Sequence, residues 1–191
     1  MTTKGDLQNV KAPVDGDTII LLADCFDPPT LDHSRAAEAL LLLHGHWLWL
    51  CPLPPIEIKH AEHVRNMVNV LAFDLKNVST CTVALDKRVG VDGLLEWAQK
   101  RFPKSKFVVA SLRDIVFSRK TTTLCVRIGS QEGTVPPGGT IVPLDKYLPT
   151  PGDVRQRIAK GSDESSHFVR PVWDYIQKHR LYRGQPSGIS G

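Results

Sequence analysis

Apolar positions along the chain follow two rhythms, short continuous runs and longer stretches at helical spacing, and the two alternate. "TIILLA" (18–23) is an unbroken run rich in β-branched residues, the pattern of a strand buried on both faces of a parallel sheet. "HSRAAEALLLLHG" then carries Ala and Leu at helical spacing and runs to Gly45, which predicts a helix with a glycine C-cap. "HWLWLCPL" predicts a second strand, stopped by Pro52, Pro54 and Pro55. "AEHVRNMVNVLAFDL" places Val64, Met67, Val68 and Leu71 on one helical stripe. "VSTCTVAL" (78–85) predicts a strand, "VDGLLEWAQKRFP" a helix closed by Pro103, and "KFVVAS" a further buried strand. "TTTLCVRI" and "TIVPLD" complete the strands, with "SQEGTVPPGGT" as the loop between them. Two helices end the pattern, "PGDVRQRIAKG" and "PVWDYIQKHRLY".

Strand–helix alternation of this kind specifies an α/β, Rossmann-like doubly wound parallel sheet with right-handed crossovers, here followed by C-terminal helices. Domain organisation follows from the same pattern. Residues 1–16 are polar and punctuated by Gly and Pro, a flexible lead; 17–183 form one α/β domain; 184–191 form a flexible tail. Ligands of such sheets bind at the carboxyl ends of the strands. Those ends are residues 24–33, 51–59, 86–91, 110–114 and 127–135.

Composition narrows the classes without choosing among them. With 41% hydrophobic and 23% charged residues over 191 positions, the chain can bury a core and is not a disordered protein. No apolar stretch reaches the roughly 20 residues that span a bilayer, so no membrane partner is expected. The N-terminus lacks the apolar core of a signal peptide, which makes a cytoplasmic or nuclear location the expectation. Cys25, Cys51, Cys81 and Cys125 are widely spaced in apolar settings, which predicts reduced core thiols and no metal site. The net charge of +4 is scattered along the chain and suits small anions as well as nucleic acid; "HFVRPVWDYIQKHR" supports RNA binding only by weak electrostatic analogy.

The most informative stretch is "ADCFDPPTLDHS" (23–34), where the first strand breaks into the first helix. A plain loop capped by Asp32 would account for it. So would a phosphate site, because a helix N-terminus offers unpaired amide donors and His33 adds a proton-bearing one. A single histidine in that position favours the plain loop. His44 and His46 with Trp47 and Trp49 read as a helix end and a half-buried strand. His60 and His63 read as a solvated helix face, with a phosphate-facing patch as the alternative. Trp97, Trp173 and Tyr175 read as core or interface anchors on amphipathic helices.

The residues Phe26, Asp27, Pro28, Thr30 and His33 resemble the motif G-G-x-F-D-P-x-H-x-G-H of the nucleotidyltransferase superfamily, and within it of the nicotinate or nicotinamide mononucleotide adenylyltransferases. Thr30 stands at the first histidine position and is similar to the T-x-G-H of phosphopantetheine adenylyltransferases. The resemblance continues in order. "CPLPPIEIKHAEHVRNMVNVLAFD" is similar to the family's prolines and lysine followed by R-x-x-M, which maps onto Lys59, Arg65 and Met67 with slightly altered spacing. "VGVDGLLEWAQKRFPKSKFVVAS" resembles the stretch from Y-T-x-D-T-L to G-A-D, and the C-terminal "VRQRIAKG…VRPVWDYIQKHRLY" resembles I-S-S-T-x-I-R and Y-I-x-x-H-x-L-Y. Together these matches span about residues 18–183.

The resemblance implies adenylyl transfer from ATP, with magnesium, to a pyridine mononucleotide in NAD biosynthesis, by in-line attack without a covalent intermediate. It implies Thr30, His33 and Arg155 as catalytic contacts to the ATP phosphates. Cys25, Phe26, Asp27 and Thr150 would bind the nucleotide, and Lys59 and Arg65 would steer the substrate phosphate.

Departures from the motifs pull the other way. Ala23 and Asp24 replace both glycines, Asp32 replaces a third, and G-A-D reads Ala110, Ser111, Leu112, with Arg113 and Asp114 following. Of I-S-S-T-x-I-R only Thr150, Val154 and Arg155 remain compatible. The alternative expectation is therefore a catalytically inactive protein of this fold that serves as an interaction or structural subunit with a protein partner.

Overall fold

The structure is a computed structural model, and it describes residues 7–8, 13, 15–44, 47–54, 56, 58–112, 124–128, 139–142 and 149–184. Gly45, His46, Arg113, Asp114, most of the 130–140 loop and the tail from 185 lie outside the described residues, as do the side chains of His44, Lys59 and Cys125. The strands are β1 (Leu7–Gln8), β2 (Thr18–Asp24), β3 (Trp47–Pro52), β4 (Val78–Cys81), β5 (Lys106–Ser111), β6 (Leu124–Ile128) and β7 (Thr140–Val142). The helices are α1 (Leu31–His44), α2 (Ile58–Phe73), α3 (Val83–Lys87), α4 (Val91–Arg101), α5 (Pro151–Ala159) and α6 (Arg170–Lys178), with a 3-10 turn at Ser165–His167.

The strands form one sheet in the order β1-β4-β3-β2-β5-β6-β7. Every pair from β4 to β7 is parallel. The chain leaves β2 through β3 to β4 on one side and resumes with β5 on the other, so the topological switch point lies between β2 and β5. Within the N-terminal lead, Leu7–Gln8 add an antiparallel edge strand against Cys81 and Thr80. The continuous apolar runs of β2, β3 and β5 are buried because helices cover both sheet faces. Alternation along β2 sends Ile20 and Leu22 to the layer of α1, α2, α5 and α6, and Ile19, Leu21 and Ala23 to that of α3 and α4. The α2 stripe of Val64, Met67, Val68 and Leu71 is buried in the first layer.

Of the predicted elements, one changes type. The strand expected over 78–85 ends at Cys81, and Val83–Lys87 wind into α3. Its neighbour β3 ends at Pro52, which has no N–H to carry the ladder further. Thr82 then closes a helical turn, accepting from Asp86 N at 2.8 Å and donating its hydroxyl to Asp86 Oδ2 at 2.7 Å. Val83, Ala84 and Leu85 remain buried in the new conformation. Among the described residues no helix is long and apolar enough to cross a membrane.

Candidate functional site

The loop after β2 stands at the switch point, where a doubly wound sheet opens its ligand crevice. Its backbone is held in an unusual shape: Phe26 has φ +51°, and the Asp27–Pro28 peptide is cis. The Phe26 side chain is fully buried and lies against the His33 imidazole, ring centroids 4.4 Å apart. Phe26 therefore contributes packing, and its backbone turns the loop.

Helix α1 begins one residue after Thr30. The Thr30 N–H donates to His33 Nδ1 at 2.9 Å, with the Thr30 hydroxyl 3.0 Å from the same nitrogen. A backbone amide can only donate, so the neutral ring carries its proton on Nε2. That nitrogen faces Asp24 Oδ2 at 3.8 Å, in contact but beyond hydrogen-bond length. Asp24 follows Ile20 and Leu22 on the α1 face of β2, which is why its carboxylate meets the first turn of α1. Its Oδ1 accepts the Cys25 N–H at 2.6 Å. Thr30, His33, Asp24 and Asp32 are all buried, and Asp32 lies 3.9 Å from Arg35.

Asp27 gathers residues from three distant parts of the chain. Tyr182 donates its hydroxyl to Asp27 Oδ1 at 2.5 Å, while His60 Nδ1 and Arg155 Nη1 each lie 3.4 Å from Oδ2. Arg155 also donates to the Asp27 carbonyl. The carboxylate is 6% exposed and the Arg155 side chain 36%, so the guanidinium reaches from solvent onto a buried anion. Burial, then the charge of Asp27, push the Tyr182 phenol far above its ordinary range. Burial, reinforced by Asp27, likewise raises the Cys25 thiol. Tyr182 sits at φ +61°, a left-handed conformation that turns the chain end back onto the loop.

The remaining expected residues are more scattered. The Thr150 hydroxyl accepts from Asp153 N at 3.1 Å and donates to Asp153 Oδ2 at 2.7 Å, so it is engaged in a capping box at the start of α5. Arg65 pairs with Asp86 on α3 and does not join the β2–α1 loop. Arg65, Arg88, Ile56 and Leu85 instead line a cleft of about 570 Å³ beyond the ends of β3 and β4. A groove of about 590 Å³ at the far end of α5, beside Trp173 and Arg183, contains none of the expected site residues. The Cys51 and Cys81 thiols lie side by side across β3 and β4, and burial together with their contact holds Cys51 well above its ordinary range, consistent with inert core thiols. Among the described residues, no three His, Cys, Asp or Glu side chains are grouped to hold a metal ion.

Sequence reasoning missed Tyr182 and His60 as partners of the loop. The only signal was their position inside resembling motifs, because nothing in local spacing links residue 27 to 60, 155 and 182.

No family model matches the sequence, and no curated protein resembles it significantly in sequence. The fold does have solved counterparts. A Vibrio parahaemolyticus protein assigned as a nicotinate-nucleotide adenylyltransferase is similar over 88% of this chain and 97% of its own, with 18% identity and a TM-score of 0.62. The nicotinic acid mononucleotide adenylyltransferase of Plasmodium falciparum, solved in complex with NaAD, aligns over 87% and 97% with 15% identity and a TM-score of 0.67. The same enzyme solved with APC gives 14% identity and a TM-score of 0.62. The chain thus shares the Rossmann-like α/β fold of these structures.

Proposed function

We propose that this chain binds MgATP at the β2–α1 loop and transfers its adenylyl group to nicotinate or nicotinamide mononucleotide, releasing pyrophosphate. The observation that carries this reading is convergence. Thr30 and His33 at the start of α1, and Arg155 from a helix more than a hundred residues later, meet at the loop on the switch point. The mononucleotide phosphate oxygen would attack the α-phosphorus while the bond to the leaving pyrophosphate breaks. In this reading the His33 Nε2–H and the Arg155 guanidinium would donate to the phosphate oxygens. Magnesium is read as part of the substrate, held by the ATP phosphates and water. In this reading Arg65 and Arg88, lining the cleft beyond β3 and β4, and Lys59 at the start of the helix that carries Arg65, would meet the mononucleotide phosphate, Arg65 exchanging Asp86 for it.

Pyrophosphate release from MgATP, dependent on either mononucleotide, tests the reading directly. Arg155→Ala and His33→Ala are each expected to weaken MgATP binding by about ten- to a hundredfold, the loss of one charge-assisted donor. Unchanged affinity in both would overturn the assignment.

A second reading, an inactive interaction or structural subunit, is favoured by one specific observation. Both expected phosphate donors already face internal carboxylates, His33 that of Asp24 and Arg155 that of Asp27. Micromolar MgATP binding lost in the two alanine variants would dispose of this alternative. Absence of binding at millimolar MgATP would establish it over the first.

A further inference from the structure

Asp24 stands where the resemblance calls for glycine, and the structure gives its carboxylate a definite place. Oδ1 takes the Cys25 N–H, the first backbone donor after the strand, at 2.6 Å. Oδ2 faces the proton-bearing Nε2 of His33 at 3.8 Å, and the side chain is 3% exposed. A phosphate entering the loop would seek the same two groups, a backbone N–H at the strand end and the imidazole in the first turn of the helix. The pleat of β2 leaves the carboxylate no alternative direction: its neighbours on that face, Ile20 and Leu22, are buried beneath α1.

We infer that Asp24 is a built-in anion that occupies the phosphate position of the β2–α1 loop and sets its affinity for external polyanions. The inference rests on the nucleotide reading for its substrate but makes a claim of its own about anions in general. An incoming phosphate must displace the carboxylate from Cys25 N–H and His33, and must also approach a like charge at close range. Both effects weaken binding. Neutralising the residue removes the second while leaving an oxygen acceptor for Cys25, and deleting the side chain removes both.

The test is isothermal titration of the full chain and its Asp24→Asn and Asp24→Gly variants with two probes, MgATP and inorganic pyrophosphate. Asp32→Asn serves as the charge control, since it removes a carboxylate from the same helix start without freeing the Cys25 N–H. Thermal unfolding of each variant verifies folding, and Asp24→Asn keeps the test valid if the glycine variant is too unstable. The expected result is at least tenfold tighter binding of pyrophosphate to both Asp24 variants, and less than threefold change for Asp32→Asn. Equal affinity of all proteins for pyrophosphate overturns the inference, and equal, tight MgATP binding alongside it leaves the nucleotide reading standing. An equal gain in Asp32→Asn also overturns it, because a diffuse charge effect would then suffice. A gain for pyrophosphate with no MgATP binding in any protein supports the role of Asp24 and overturns the nucleotide reading.

Discussion

Removing the hydroxyl of Tyr182 deprives Asp27 Oδ1 of a donor at 2.5 Å while leaving the ring in place against His60, their centroids 5.4 Å apart. Tyr182→Phe is therefore expected to destabilise the protein by about 1–3 kcal/mol, the cost of weakening the satisfaction of a buried carboxylate. Chemical denaturation of the variant against the parent measures it. The same bond has a pH signature. The folded phenol titrates above its ordinary value of 10.0, so the native state holds this proton more tightly than the unfolded chain. Its contribution is present in full below about pH 10 and is lost as the pH rises beyond it. The parent should thus lose more stability than Tyr182→Phe between about pH 8 and pH 10.5, as read by denaturation midpoints at both pH values. A parallel loss in the two proteins would contradict the assigned bond. None of these partners of Asp27 was legible from the residues alone, because a hydrogen bond across 155 positions leaves no local trace.

At the scale of elements, the start of α5 illustrates how one residue type serves two roles. Thr150 resembles a phosphate-binding hydroxyl by position, yet it forms a reciprocal capping box with Asp153, with Pro151 at the first helical position. Thr150→Ala should cost about 1 kcal/mol of stability, within the range for lost N-caps, and is measured as a shift in the denaturation midpoint. The helix matters to the loop because it carries Arg155. Element type was readable wherever periodicity was strong, as in α2 and α4, or where apolar runs were unbroken, as in β2 and β5. It failed at residues 82–85, where an apolar run of strand character became α3. What stopped that strand was Pro52, a residue of its neighbour, and no window on residues 78–85 contains it.

For the whole molecule, the C-terminal segment closes the layer that also holds α1 and α2. Val172 and Ile176 are buried in that layer, and Tyr175 joins α6 to α2 by accepting from Asn66 Nδ2 at 3.0 Å, with His63 Nδ1 3.1 Å away. Truncation before Arg170 should expose this layer and release Tyr182 from Asp27. The expected outcome is loss of a cooperative thermal transition and gain of dye binding to exposed apolar surface. A truncated chain that melts cooperatively near the parent temperature would show that α6 is dispensable. Sequence by itself determined the order and nature of most elements, the parallel sheet and the position of the β2–α1 loop, because these follow from hydrophobic period and local turn chemistry. Only the tertiary structure decided that Asp24 faces His33, that Asp27 draws in His60, Arg155 and Tyr182, and that Arg65 turns to Asp86. Such pairings depend on which elements pack side by side and on the direction of each side chain from its strand or helix, and neither is encoded in any short stretch of the chain.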